Sequence, residues 1–296
     1  MKALRLLVPA ILLAVLWHWL DGPAIAERLA ATDPVWLAAA CAASALQTVL
    51  LALRWRLTAG ALGHEIRLST ALREYFVAQL VNQTLPGGML GDAARAVRTK
   101  GEAGLAVSGQ AVVIERLTGQ VALLIVTLCG LALASALPGG VRWPAWTEII
   151  PLWLAGIGFA LAVAVLGLRR FRPGWIALMV EPVRRAVLAR EVWPRQAVLG
   201  LAVVGLNLLT FAFSARAVGV VMPVEAVVTL VPLVMTAMLV PISIAGWGFR
   251  EGAALALLPL GGITPETAVA ASIVFGAVIL CASLPGAFWL SHRPRA

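Results

Sequence analysis

Charge is what this chain of 296 residues has least of: Asp, Glu, Lys and Arg make up 12% of it, against about a quarter in soluble domains. With 61% apolar residues and a mean hydropathy of +0.94, a water-soluble fold is excluded, because a chain of this length cannot hide so much apolar surface. Its three cysteines, Cys41, Cys129 and Cys281, stand in apolar stretches with no CxxC and no neighbouring histidine, so they read as small core residues and not as metal ligands. The histidines (His18, His64, His292) are scattered, and HExxH, GxSxG, Walker A and GxGxxG are all missing. No enzyme signature and no cofactor is therefore expected. The net charge of +9 comes from short basic stretches between apolar segments, with no aromatic-interleaved patch, which argues against a nucleic-acid partner.

What is present is a series of apolar segments, several of them reaching the roughly 17 to 25 residues that span a bilayer as a helix. Since every backbone polar group must be satisfied within the membrane, helices are the default. The expectation is an all-α polytopic membrane protein with about six full transmembrane helices: Leu4–Leu20, Val35–Leu53, Leu117–Leu137, Pro151–Leu168, Ala197–Val218 and Thr267–Leu290. Ala24-Ile25-Ala26 has the form of a signal-peptidase site, but the first run is read as an uncleaved span.

Basic residues orient the chain. Asp21, Glu27, Arg28 and Asp33 form a stretch poor in positive charge, read as outside; Arg54, Arg56, Arg67 and Arg73 mark the inside. The segment 169–195, with seven arginines against two glutamates, is the strongest cytoplasmic anchor, and Trp143 and Trp146 suit an outer interfacial belt. His292, Arg293 and Arg295 put the C-terminus inside with the N-terminus. Within the basic segment, Trp175, Ile176, Met179, Val183, Val187 and Trp193 fit either a helix on the inner surface, drawn to anionic lipid, or a solvated connector.

Two stretches break the apolar pattern. Asn82 to Arg95, NQTLPGGMLGDAAR, contains Pro86, Gly87, Gly88 and Gly91; Pro241 to Glu251, PISIAGWGFRE, contains Ser243, Gly246 and Gly248. Pro86 and Pro241, Gly91 and Gly246, and Arg95 and Arg250 all stand 155 positions apart, so P-x4-G-x3-R occurs twice. Both flanks of the first stretch are basic, so it is expected to enter and return without crossing, over about 69–115; its counterpart covers about 224–262. Gly101 to Ile114 would complete the first excursion, and Glu115-Arg116 would open the next span. Three crossings per half then make 1–150 and 151–296 two inverted-topology repeats, as in many secondary transporters.

A proline and glycines inside an apolar region free backbone N–H and C=O groups, tolerated only where protein or a water-filled cavity satisfies them. A helix starting near Gly91 or Gly246 offers N–H groups to an anion, and Arg95 or Arg250 one turn on adds a fork suited to phosphate. A buried Arg needs a partner, since at the bilayer centre it costs about 2.5 to 3.5 kcal/mol or more. Asp92 meets that need for Arg95 at i,i+3. Glu251 is a local candidate partner for Arg250 beside it, but neighbours at i,i+1 do not face each other on a helix, so the alternative is that Glu251 reaches Arg95 or Arg116 across the halves. Asp92 and Glu251 could also meet at the midplane and share a proton. Asn82 and Gln83 line a polar path or cap a broken helix, and Ser243 is open in the same way. The candidate substrate-binding set thus comprises these residues with Glu115 and Arg116.

Together NQTLPGGMLGDAAR, ERLTG from Glu115, PISIAGWGFREG from Pro241 and RWRLTAGALG from Arg54 resemble the lysylphosphatidylglycerol synthase transmembrane, or flippase-like domain, family along essentially the whole chain. The resemblance implies an integral inner-membrane protein related to the lipid-translocating part of aminoacyl-phosphatidylglycerol synthases. The soluble aminoacyl-transfer domain of those proteins has no counterpart in this sequence, so a stand-alone member without synthase activity is expected. Taken with Arg95, Arg250 and the helix-end amides, the expected partner is a membrane lipid with an anionic headgroup, handled by translocation. The alternative is a non-transporting accessory subunit that presents lipid to a separate glycosyl- or aminoacyl-transferase.

Overall fold

The computed structural model describes residues 14, 15, 17, 18, 20, 22–85, 88–136, 141, 174–239 and 245–291. The expected span at 151–168, most of that at 4–20, the Trp143–Trp146 belt, and Pro86, Gly87, Pro241 and Ser243 lie outside the described residues.

Among the described residues there are helices and no strands. Helix α1, Gly22–Ala30, is short. Helix α2, Pro34–Ala61, starts with proline at its first position behind Asp33, whose Oδ1 accepts the Val35 N–H at 2.8 Å, so an orphan amide is capped where proline is tolerated. Helix α3, Leu68–Thr84, stops as Leu85 turns extended ahead of Pro86, the conformation a following proline imposes. Then come α4, Leu90–Arg98, and α5, Gly104–Ala136. Helix α6, Gly174–Val183, passes into a π turn at Arg184–Leu188. Helix α7 is Trp193–Ala217, and α8, Val224–Thr236, continues as a 3-10 turn to Leu239. Helix α9, Phe249–Leu257, ends in a 3-10 turn, and α10, Pro265–Ser283, is followed by α11, Pro285–Ser291.

Among the described residues, four stretches are long and apolar enough to cross a membrane: Pro34–Ala61, Gly104–Ala134, Trp193–Ala217 and Pro265–Leu290. They cover four of the six expected spans. One expectation is corrected. Gly101–Ile114 and Leu117–Leu137 are not two pieces with Glu115-Arg116 at a boundary; α5 runs unbroken from Gly104 to Ala136 across that doublet. The stretch has no proline, and both charges find partners inside the protein, so neither needs a helix end.

Helices α2 and α7 form the most extensive pairing, and they are antiparallel. At one end the Asp33 N–H donates to Ala217 O at 2.9 Å; at the other, Gln196 Nε2 donates to Thr58 Oγ1 at 2.9 Å. Two glycines let other helices cross at backbone contact. A Cβ on Gly130 of α5 would lie 2.4 Å from Val228 O on α8, and one on Gly286 of α11 would lie 2.5 Å from Phe76 O on α3. Small residues permit such approach where lipid supplies no hydrophobic drive between helices. The larger apolar core gathers on α7, α8 and α10, with Phe211 and Phe275 at 5.2 Å; the smaller joins α2 and α3 through Trp55 and Tyr75.

The offset of 155 also relates element bounds. Moved by it, α3 falls on 223–239, where α8 and its 3-10 turn end at Leu239, and α5 falls on 259–291, where α10 and α11 end at Ser291. Helix α2 falls on 189–216, the place of α7.

Candidate functional site: two buried arginine clusters

The breaker after α3 folds back so that α4 packs on α3 and α5. Gly91 is the seat of this return: a Cβ there would stand 2.1 Å from Ala78 O, so only glycine fits. Asn82 pins the same turn from both sides, its Oδ1 accepting the Gly91 N–H at 2.8 Å and its Nδ2 donating to Asp92 Oδ2 at 2.9 Å. Asp92 and Arg95 are thereby turned inward, and both are buried.

Arg95 is fully buried. One terminal nitrogen lies 3.0 Å from Asp92 Oδ1 and 2.9 Å from Glu115 Oε2 on α5. Glu115 gives its other oxygen to Arg54 of α2 at 2.6 Å, and the Tyr75 hydroxyl donates to the same carboxylate at 3.3 Å. Arg116 donates to Asp92 Oδ2; its side chain is 36% exposed, making it the member of the cluster that reaches the surface. The guanidinium of Arg95 sits between the rings of Trp55 and Tyr75, 4.6 and 4.4 Å from their centroids, a cation–π contact that gains strength when desolvated. The Nε and second terminal nitrogen of Arg95 make no hydrogen bond. Arg54, Arg95 and Arg116 against Asp92 and Glu115 leave the cluster one positive charge in excess.

The second cluster has the same logic with fewer parts. The chain enters α9 through left-handed residues, Ala245, Gly246 and Gly248, at φ of 50°, 81° and 84°. Glu251, the third residue of the helix, accepts the Gly248 N–H at 2.6 Å, half of a capping box. Its other oxygen takes Arg250 at 2.5 Å and the Ser272 hydroxyl of α10 at 3.0 Å, and Arg250 Nε also donates to Ser272 Oγ at 3.0 Å. Trp247 and Phe275 lie 4.8 and 5.5 Å from the guanidinium carbon. Gly276 leaves the room, because a Cβ there would meet the guanidinium at 2.3 Å.

Residues 2–286 match the family described as the lysylphosphatidylglycerol synthase TM region. The chain belongs to that family. A comparison with curated proteins finds no match. Membership of this family, together with the four spans, makes the chain a membrane protein related to lipid handling.

Of the candidate residues in this family member, Asn82, Gly91, Asp92, Arg95, Glu115 and Arg116 come together in one cluster, and Gly248, Arg250 and Glu251 in the other. Gln83 is half-buried and takes no part in either network, and Gly88 contributes a left-handed turn at φ 61°. Gly246 packs on Met238. Of the two open pairings of Glu251, the local one forms. Glu251 holds its sequence neighbour Arg250 instead of Arg95 or Arg116, because the long arginine side chain folds back to a carboxylate fixed by the cap. Asp92 and Glu251 do not meet; among the described residues no hydrogen bond or ion pair joins the clusters, and α9 packs on α8 and α10. Arg54, Trp55, Tyr75, Trp247, Ser272 and Phe275 were not anticipated as members. The first two lie in the RWR of Arg54 to Arg56, which reads as charge at the inner end of a span and carries no sign of an inward role.

Proposed function

We propose that the chain is an inner-membrane lipid translocase of flippase-like type, built as two inverted-topology repeats, with both termini cytoplasmic. Its substrate is a lipid with an anionic headgroup. The observation that carries this reading is the pair of wholly buried arginines, Arg95 and Arg250, at equivalent places 155 residues apart, each on a short helix behind a breaker turn. The antiparallel pairing of α2 with α7, elements related by the same offset, supports inversion. So do the reciprocal crossings of α5 on α8 and of α11 on α3.

In this reading α3–α4 and α8–α9 are re-entrant elements that do not cross the bilayer, and the segment 169–195 lies on the cytoplasmic side. The arginines are held by Glu115, Asp92 and Glu251 between cycles, since an unpaired guanidinium in the membrane interior is costly. A headgroup phosphate then exchanges with a carboxylate, matching its geometry to the arginine fork. The substrate set comprises Asn82, Asp92, Arg95, Glu115, Arg116, Arg250 and Glu251, together with Gln83, Pro86, Gly87, Gly88, Gly91, Pro241, Ser243, Gly246 and Gly248 of the two breaker stretches.

Purified protein in vesicles containing headgroup-labelled phosphatidylglycerol tests this: accelerated exchange between leaflets is the expected result, and exchange no faster than in empty vesicles overturns it. The closed state of both clusters, each arginine already neutralised, favours a second reading, an accessory subunit presenting lipid to a separate transferase. Stoichiometric capture of such an enzyme by a protein that exchanges no lipid is its signature.

A further inference from the structure

A cleft of about 650 Å³ opens away from both arginine clusters, where α1, the start of α2 and the end of α7 meet. Its polar lining is Glu27, Arg28, Asp33 and Arg216, with Trp36. Trp36 and Arg54 are eighteen positions apart on α2, about 27 Å of helix, close to the roughly 30 Å thickness of a hydrocarbon core. The cleft therefore lies at the opposite membrane surface from the Arg54–Glu115 pair, at the depth where tryptophan is favoured.

Two acids and two bases share this cleft, and their arrangement leaves them available. The Arg216 guanidinium lies 5.6 Å from the centroid of Trp36, an orienting contact that leaves its N–H groups free for an acceptor. Asp33 uses Oδ1 to cap the Val35 N–H, and its second oxygen is uncommitted. Arg28 and Glu27 form no ion pair among the described residues. Val221 and Val224, highly exposed at the same end, offer apolar surface beside it.

A purely anionic headgroup would face two carboxylates here, and a purely cationic one two guanidiniums. A headgroup carrying both signs satisfies all four. We infer that the cleft binds the phosphate–ammonium headgroup of a zwitterionic phospholipid, the phosphate on Arg28 and Arg216 and the amine on Glu27 and Asp33, with acyl chains leaving over the exposed valines. This site is distinct from the arginine clusters and holds whether or not the chain translocates lipid.

The test is native mass spectrometry of the full chain released from micelles containing equal phosphatidylethanolamine and phosphatidylglycerol. The wild type is expected to retain phosphatidylethanolamine about tenfold better, the ratio that one charge-assisted hydrogen bond supplies. Arg28→Gln with Arg216→Gln should abolish that retention, and Glu27→Gln alone, at an exposed position that folding does not depend on, should shift preference toward phosphatidylglycerol. Glu65→Gln, exposed beyond the far end of α2 and outside both the cleft and the arginine clusters, should leave it unchanged, which ties the preference to this cleft. Equal retention of the two lipids by the wild type, or an unaltered preference in Glu27→Gln, overturns the proposal. So does displacement of bound lipid by soluble glycerophosphoethanolamine at equal concentration, which would assign the cleft to a soluble phosphoamine.

Discussion

Glu115 and Arg95 stand twenty positions apart in sequence and 2.9 Å apart in space, both wholly buried. The same carboxylate also binds Arg54. Removing it strands two guanidiniums in the protein interior. Breaking a buried pair from one side costs about 3 to 5 kcal/mol, so Glu115→Ala is expected to lower the unfolding midpoint in detergent steeply. Glu115→Leu combined with Arg54→Leu should recover part of the loss. An unchanged midpoint in the single variant would mean that the charges are solvated.

Gly91 and Gly109 make a matched comparison. Gly91→Ala drives a methyl into Ala78 O, whereas nothing lies within 4 Å of a Cβ on Gly109. Gly109→Ala is expected to stabilise α5 by about 1 kcal/mol, and Gly91→Ala to destabilise by about 1 to 3 kcal/mol as α4 is pushed from α3. Thermal melting of the two variants decides; equal effects would show that the close approach of α4 and α3 is wrong.

How much of this was legible in the sequence follows from how local each interaction is. The spans at α2, α5, α7 and α10 are legible because length and apolarity are properties of one segment. The breaker turns and the Asp92–Arg95 pair are legible for the same reason, all within fourteen residues. Arg54 was not: at the end of an apolar run it reads as an ordinary inner-surface charge, and its acid lies 61 positions away. Tyr75 and Ser272 are likewise defined by helices that meet only in the fold. The Arg250–Glu251 pair stayed open in the sequence, since the rule against i,i+1 contact concerns regular helix faces and this pair sits at a helix start.

Ala245 lies in the left-handed region at φ 50°, which disfavours a Cβ by about 1 to 2 kcal/mol. Ala245→Gly should therefore raise stability by about 1 kcal/mol, unlike most glycine substitutions. A lower melting temperature for this variant would contradict the turn geometry ahead of α9.

Inversion predicts membrane sidedness. Glu65, beyond the end of α2, and Val221, beyond the end of α7, are both exposed and stand 156 positions apart. With Cys41, Cys129 and Cys281 replaced by alanine, Glu65→Cys is expected to react with an impermeant maleimide only from the cytoplasmic side, and Val221→Cys only from the other. Labelling of both from one side removes the basis for two inverted repeats.

The most direct measurement of the central claim compares wild type, Arg95→Gln and Arg250→Ala in the vesicle exchange assay, each variant first confirmed as folded by its melting transition. The account predicts that the wild type accelerates movement of headgroup-labelled phosphatidylglycerol between leaflets and that each variant loses at least about tenfold of that rate, the equivalent of roughly 1.4 kcal/mol of transition-state stabilisation. A folded Arg250→Ala protein that exchanges lipid at the wild-type rate would contradict it.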